Sequence, residues 1–289
     1  VGEATVMRGK PVAESVTEQV KQRVDELLAT GHQRPHLTVI QVGEDPASTV
    51  YVRNKVRTCE KLGLGSTLHN RAADTPQEEV VALIRKLNAN GGVHGILVQL
   101  PLPGHMDEQA VIGEIDPLKD VDCLHPSNVG RLWLGNAFVT PCTPQGIIEI
   151  LRFHGIALKG KRAAIIGRSN IVGKPLAALM LAEHATVTLC HSRTVDLPAV
   201  AREAEVLVAA VGKAEMVTGE YIREGAVVID VGVNRTPVPG GKDKLVGDVK
   251  FDEAAAKASA ITPVPGGVGP MTIAMLMSNA LKCYEQQIG

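Results

Sequence analysis

The chain has 289 residues, 45% of them hydrophobic, which suffices for two ordinary domains, each with its own core. A formal net charge of −1 excludes the single-sign field that draws proteins to nucleic acid or anionic membranes, so neither is expected as a partner. Aromatic residues make up only 2%, too few for the stacking platforms that hold single-stranded nucleic acid, and small-molecule chemistry becomes the default expectation.

In chain order, helical periodicity over 12–28 is followed by the apolar run LTVIQV (37–42), a helix over 46–62, another over 76–88, and the run GILVQL (95–100). This first half reads as an α/β layer. PCTPQG (141–146) then punctuates the chain with two prolines and a glycine, ahead of a helical pattern over 147–153. From Lys161 four more apolar runs, RAAIIG, TVTLC, VLVAAVG and AVVIDVG, alternate with helical segments, which predicts a second parallel sheet of the Rossmann type. After TPVPGGVGPMT (262–272), an apolar helix over 271–285 is too hydrophobic to stand alone and is expected to pack back on the first domain. The expected fold is therefore α/β, with two α/β domains flanking a cleft: 1–142 plus 270–289, and 143–269.

Cys59, Cys123, Cys142, Cys190 and Cys283 are odd in number and scattered, with no C-x-x-C pair. Neither a disulfide framework nor a zinc site is indicated, and a reducing, cytoplasmic setting fits best. No apolar run is long enough to span a bilayer, and the nine histidines show no metal-ligand spacing, so no metal is expected.

In the second half, AAIIGRSNIVGKP places Gly167, Arg168, Ser169 and Gly173 between a strand and a helix over 175–183. Glycines there let backbone N–H groups approach a pyrophosphate, and the helix dipole favours its charge. The spacing is G-x-S-x-x-x-G rather than G-x-G-x-x-G, and such a turn also serves as a plain tight connection. The next strand ends in Cys190-His191-Ser192-Arg193, with no acid to accept from a ribose hydroxyl. A hydroxyl and a guanidinium suit a 2′-phosphate, so NADP is favoured over NAD.

In the first half, Asp45 and Pro46 form a good helix start, Gly63 a plausible stop, and Tyr51 and Lys55 fall one turn apart on one face. A Tyr/Lys pair is commonly an edge-packing ring and a solvated ammonium; it also brings together two proton-transfer groups. Gln99 ends the strand GILVQLPLP, where open parallel sheets place ligand-contacting groups, and Asp122 lies in the turn-like KDVDCLH.

Taken together, YVRNK, GILVQLPLP, KDVD, PCTPQG, GRSNIVGKP and ITPVPGGVGPMT occur in an order and spacing that resemble the bifunctional methylenetetrahydrofolate dehydrogenase/methenyltetrahydrofolate cyclohydrolase family over nearly the whole chain. The resemblance implies oxidation of 5,10-methylenetetrahydrofolate with NADP, then hydrolysis of the methenyl product to 10-formyltetrahydrofolate. It implies that Lys55 is the acid/base of the hydrolytic step, tuned by Gln99, that Tyr51 stacks on the folate, and that Asp122 hydrogen-bonds the pterin. Leu100, Pro265, Gly266 and Gly267 join the substrate-binding set by the same resemblance, and Val233 joins Gly167, Arg168, Ser169, Gly173, Ser192 and Arg193 in the cofactor set. A homodimer formed through the cofactor domain is also implied.

One departure stands out. The family pattern has glycine after the pterin-binding aspartate, where this chain has Cys123. If the position needs positive φ, cysteine perturbs the Asp122 turn; if φ is ordinary, it is a small buried substitute. A dehydrogenase without effective cyclohydrolase activity, a shikimate-dehydrogenase-like enzyme and a non-catalytic folate or nucleotide sensor are the competing readings. Lys55 and Gln99 count against the first, and the combination of TPVPGGVGPMT with GILVQLPLP against the second.

Overall fold

A computed structural model describes residues 3–43, 46–237 and 243–289, with the backbone alone for 46–50; the expected N-cap Asp45 lies outside the described residues. The first elements are β1 (Thr5–Val6), α1 (Gly9–Ala29), β2 (His36–Val42), α2 (Pro46–Lys61), β3 (Gly65–Arg71), α3 (Gln77–Asn88) and β4 (Gly95–Val98). They are followed by α4 (Glu108–Ile112), α5 (Pro126–Leu134), α6 (Cys142–Phe153), β5 (Arg162–Ile166), α7 (Gly173–Ala182) and β6 (Thr186–Cys190). The chain continues through α8 (Leu197–Arg202), β7 (Val206–Ala209), β8 (Val227–Asp230), β9 (Asn234–Thr236), β10 (Lys244–Val246), α9 (Phe251–Ala255), β11 (Ala260–Ile261) and α10 (Gly269–Ile288).

Two compact units result, one of Ser15–Cys142 with Ile273–Gly289, the other of Val1–Glu14 with Thr143–Thr272. The expected grouping of all of 1–142 with the first half differs from this division at the first fourteen residues. The physical reason is strand pairing: β1 adds in parallel to β11, with Thr5 opposite Ala260 and Val6 opposite Ile261. A two-residue strand has too short a pattern to reveal its partner.

In the first of these units β2 is the centre of a parallel sheet ordered β3-β2-β4. Its run is almost wholly buried, as a strand covered on both faces requires. Ile40 and Val42 pack with Ile96 and Val98 of β4 and with Val80, Ile84 and Leu87 of α3. Full burial of each such aliphatic side chain contributes about 1.5–3 kcal/mol. β3, GSTLHNR, went unrecognised as a strand because it is a polar, half-exposed edge with little apolar alternation.

The other unit holds a six-stranded parallel sheet ordered β1-β11-β8-β7-β5-β6. The chain leaves β5 for β6 on one side and returns to β7 on the other, so the strand order reverses at β5. In open parallel sheets the crevice at the carboxyl ends of such a switch point is where ligands bind. Ala164, Ile166, Leu207, Ala209, Val228 and Ile261 form the centre of this core. Among the described residues no helix is long and apolar enough to cross a membrane, and all five cysteines are buried and unpaired.

The terminal helix is anchored to its own unit by polar as well as apolar contacts. Asn279, fully buried on α10, donates from Nδ2 to the carbonyls of Val121 (2.8 Å) and Thr140 (2.7 Å). Replacing Asn279 by Leu strands both carbonyls away from water, and Asn279→Leu is expected to lower stability by about 2–4 kcal/mol in chemical denaturation.

Candidate active site

The first-half constellation is built from α2, the end of β4 and the turn after Lys119. α2 stops at Lys61, with Gly63 in the left-handed region at φ 79°, and carries Tyr51 and Lys55 one turn apart. Lys55 is 8% exposed, whereas Tyr51 presents 46% of its surface to solvent. Lys55 Nζ donates to Gln99 Oε1 at 2.9 Å. The Gln99 amide is fixed the other way round as well, since its Nε2 donates to the Leu100 carbonyl at 2.8 Å. Reversing the amide would turn its NH2 toward the ammonium, so this pair of bonds determines its orientation. Gln99 N in turn donates to Ile40 O, which extends the β2–β4 ladder to the side chain that meets Lys55. The next peptide, Leu100–Pro101, is cis.

Asp122 joins the same cluster. Burial raises its carboxyl above the usual range, the Lys55 charge pulls it down, Asp120 pushes it up, and a hydrogen bond from Cys142 pulls it down. Cys142 Sγ donates to Asp122 Oδ1 at 3.5 Å. Burial and the Asp122 charge hold the Cys142 thiol well above its ordinary value, so at neutral pH it remains a protonated donor. Sequence reasoning missed Cys142 as a partner of Asp122; its only signal was a cysteine between two prolines in PCTP.

The other acid and the lysine of KDVD have different work. Asp120, 1% exposed, accepts from Leu124 N (3.2 Å), His125 N (2.9 Å) and Asn128 Nδ2 (2.9 Å), which closes the turn that presents Asp122. Lys119 Nζ donates to the carbonyls of Leu87, Asn88 and Asn90 and so terminates α3.

Cys123 has φ 57° and is fully buried, which decides between the two expectations: the position does need the left-handed region, and a cysteine occupies it. Non-glycine residues there carry about 1–2 kcal/mol of strain. Cys123→Gly is therefore expected to exceed Cys123→Ala in stability by about 1 kcal/mol, the reverse of the order at an ordinary buried site, as denaturant titration of the two variants will show.

In the second-half unit, Gly167, Arg168, Ser169 and Gly173 form the turn from β5 to α7. A Cβ on Gly173 would lie 1.9 Å from the Gly167 carbonyl oxygen, and one on Gly167 would lie 2.1 Å from that of Ala210. Both glycines are thus required by close backbone approach, the former at the start of a ten-residue helix. Ser169 Oγ accepts from Val172 N (3.1 Å) and Gly173 N (3.3 Å), shaping the turn from within. Arg168 is exposed beside it.

Ser192 and Arg193 are exposed at the end of β6, in a turn closed by His191 N to Thr194 Oγ1 (2.9 Å) and Arg193 N to His191 Nδ1 (3.1 Å). Val233, just after β8, is 55% exposed. In the loop before α10, Pro265 follows a cis peptide bond and is exposed, Gly266 has φ 101°, and Gly267 is buried with its Cβ position 2.5 Å from Pro263 O. Gly9 N donates to Gly266 O at 2.9 Å, so this loop also seats the start of α1.

Residues 7–122 match the catalytic domain of the tetrahydrofolate dehydrogenase/cyclohydrolase family, and residues 141–288 match its NAD(P)-binding domain. This chain belongs to that family. The bifunctional protein FolD of Moorella thermoacetica is 56% identical, over 98% of this chain and 99% of its own, and that of Magnetococcus marinus 55%, over 96% of each. A solved structure of the Trypanosoma brucei dehydrogenase-cyclohydrolase, complexed with NADP and an inhibitor, superposes with a TM-score of 0.95 at 39% identity, covering 100% of this chain and 99% of that one. The chain is accordingly an enzyme of tetrahydrofolate interconversion with dehydrogenase and cyclohydrolase activities and a nicotinamide dinucleotide domain.

Proposed function

We propose that the chain oxidises 5,10-methylenetetrahydrofolate with NADP and hydrolyses the 5,10-methenyl product to 10-formyltetrahydrofolate, with Lys55 managing protons in the hydrolytic step. The observation that carries this reading is the bond between Lys55 Nζ and Gln99 Oε1, on a largely buried lysine, in a chain of this family.

NADP, when bound, supplies the acceptor for a hydride from the one-carbon bridge. The close-approach glycines Gly167 and Gly173 fit a pyrophosphate at the start of α7, with Arg168 and Ser169 beside it. Ser192 and Arg193, exposed at the end of β6 where NAD-specific folds carry an acid, fit a 2′-phosphate, and Val233 completes the cofactor set. Orientation accounts for most of what the protein contributes to this step, and no general base is required.

Hydrolysis differs, because water attacking the methenyl carbon must lose a proton, the bond from that carbon to the ring nitrogen must then break as the nitrogen gains one, and the remaining hydroxyl proton leaves to solvent as the formyl carbonyl forms. Lys55 accepts the first and returns the second, and Gln99 fixes the direction of its ammonium. Tyr51, rigid and half exposed one turn away, offers a flat face to the pterin, Asp122 accepts from it, and Leu100, Pro265, Gly266 and Gly267 complete the substrate-binding set. A homodimer in the cytoplasm is the setting this family membership supports.

The decisive assay supplies 5,10-methylenetetrahydrofolate and either dinucleotide, following reduced nicotinamide and the methenyl species separately. Wild type is expected to form NADPH with little methenyl accumulation. Lys55→Met is expected to lower cyclohydrolase turnover by at least about 10²-fold while hydride transfer persists, so that methenyl accumulates. Equal loss of both steps in a folded variant would make Lys55 a substrate-positioning group instead. Arg193→Ala is expected to raise KM for NADP about tenfold and leave KM for NAD within about twofold; an equal rise for both would remove the 2′-phosphate role.

A further inference from the structure

Two buried carboxylates in the second-half unit are not absorbed by the reading above. Asp248 is fully buried and Asp230, the last residue of β8, is 4% exposed. Asp248 Oδ2 accepts from Val211 N (2.6 Å) and Gly212 N (2.9 Å), and its Oδ1 accepts from Lys213 N (2.9 Å) and Asn234 Nδ2 (2.9 Å). Asp230 holds Asp248 in turn: its Oδ1 accepts from Gly232 N and from Asp248 N, and its Oδ2 from Val249 N, each at 2.9 Å. The two are so close to the chain that a Cβ on Gly232 would lie 2.3 Å from the Asp248 carboxylate, and one on Gly247 would lie 1.7 Å from Asp230 Oδ2.

What the carboxylates hold is the carboxyl-end rim of the sheet at its switch point. Ala210, which leads into the gripped segment, donates to Ile166 O at 2.8 Å, and its carbonyl sits where a Cβ on Gly167 would fall. Val211, Gly212 and Lys213 thus continue directly from the contact that faces the proposed phosphate turn, while Gly232 and Asn234 flank Val233. Three successive amides pointing inward onto one carboxylate leave the outward side of that loop to line the crevice.

We propose that Asp248, seated by Asp230, is a positioning residue for the dinucleotide: it fixes Val211–Lys213 and the Val231–Asn234 turn as one wall of the crevice without itself touching the cofactor. Asp230 N also donates to Thr262 Oγ1 at 2.8 Å, so the same network reaches the start of the Thr262–Val268 loop. This inference rests on the NADP reading of that unit.

The test measures NADP dissociation constants by titration calorimetry, KM for NADP and for methylenetetrahydrofolate, and hydrolysis of methenyltetrahydrofolate without any dinucleotide. Asp248→Ala is expected to weaken NADP binding about tenfold or more, because several amides lose their shared acceptor. KM for the folate is expected to stay within about twofold, and cofactor-free hydrolysis to continue. Asp248→Asn, which keeps one acceptor oxygen, is expected to fall between wild type and Asp248→Ala, and it carries the test if the alanine variant does not fold. NADP affinity of folded Asp248→Ala within about twofold of wild type overturns the proposal, as does an unchanged affinity of Asp248→Asn where the alanine variant does not fold, or a parallel loss of hydrolysis, which marks a merely structural role. Failure of wild type to bind NADP refutes the cofactor reading itself.

Discussion

A backbone amide taken out of water must find an acceptor, and the loops that carry the candidate functional groups of this protein find theirs in buried carboxylates. Asp120 gathers Leu124 N, His125 N and Asn128 Nδ2 in one unit; Asp230 and Asp248 gather six backbone amides in the other. An ionised acceptor binds several amides at once and holds a turn that has no regular ladder of its own. The cost shows where burial outweighs the amides, as at Asp230, whose carboxyl is pushed up to about 6. The sign follows from that shift: native Asp230 binds its proton more tightly than the unfolded chain, so its stabilising contribution is complete below the unfolded value near 4 and is lost as pH rises through about 6.

Close approach is the second constraint, and it depends on the first. A carboxylate reaching its amides at 2.6–2.9 Å leaves no room for side chains beside it, which is why Gly232 and Gly247 flank the Asp230–Asp248 pair. The same steric logic at Gly167 and Gly173 brings the β5–α7 turn against itself and against Ala210. Cys123 is the exception, a residue with a Cβ in a left-handed position. It is tolerated because its thiol is buried, so lost strain relief is partly offset by the apolar surface it removes from water.

Much of this was legible in the sequence. The buried strands β2, β5, β7 and β8 are short apolar runs ending in glycine or polar residues, and the helices α1, α2 and α3 have clear periodicity, so both sheets and their parallel sense follow. β3 was not, because a polar edge strand lacks apolar alternation, and neither was the attachment of β1, because two residues carry no register information. Of the site residues expected from spacing and resemblance, the structure brings Lys55, Gln99 and Asp122 into one electrostatic cluster, with Tyr51 one turn from Lys55. Cys142 and Asp248 were silent. A thiol between prolines and an acid in VGDV look like linker residues until the fold carries them to partners 20 and 35–37 positions away.

The Asp122 cluster illustrates how such long-range partners set chemistry rather than merely stability. Burial alone would favour a neutral Asp122, which would donate rather than accept; the Lys55 charge and the Cys142 thiol oppose that tendency. The thiol can do so only because Asp122 and burial keep it protonated. Burial and Asp120 still leave the Asp122 carboxyl raised on balance, and the carbonyls fixed by Asn279 hold the backbone on both sides, at Val121 and Thr140, in the geometry that lets the two groups meet. A lysine, a carboxylate and a thiol drawn from sequence positions 55, 122 and 142 thus meet in one cluster, so a substitution at Lys55 or Cys142 alters the surroundings that set the Asp122 carboxyl.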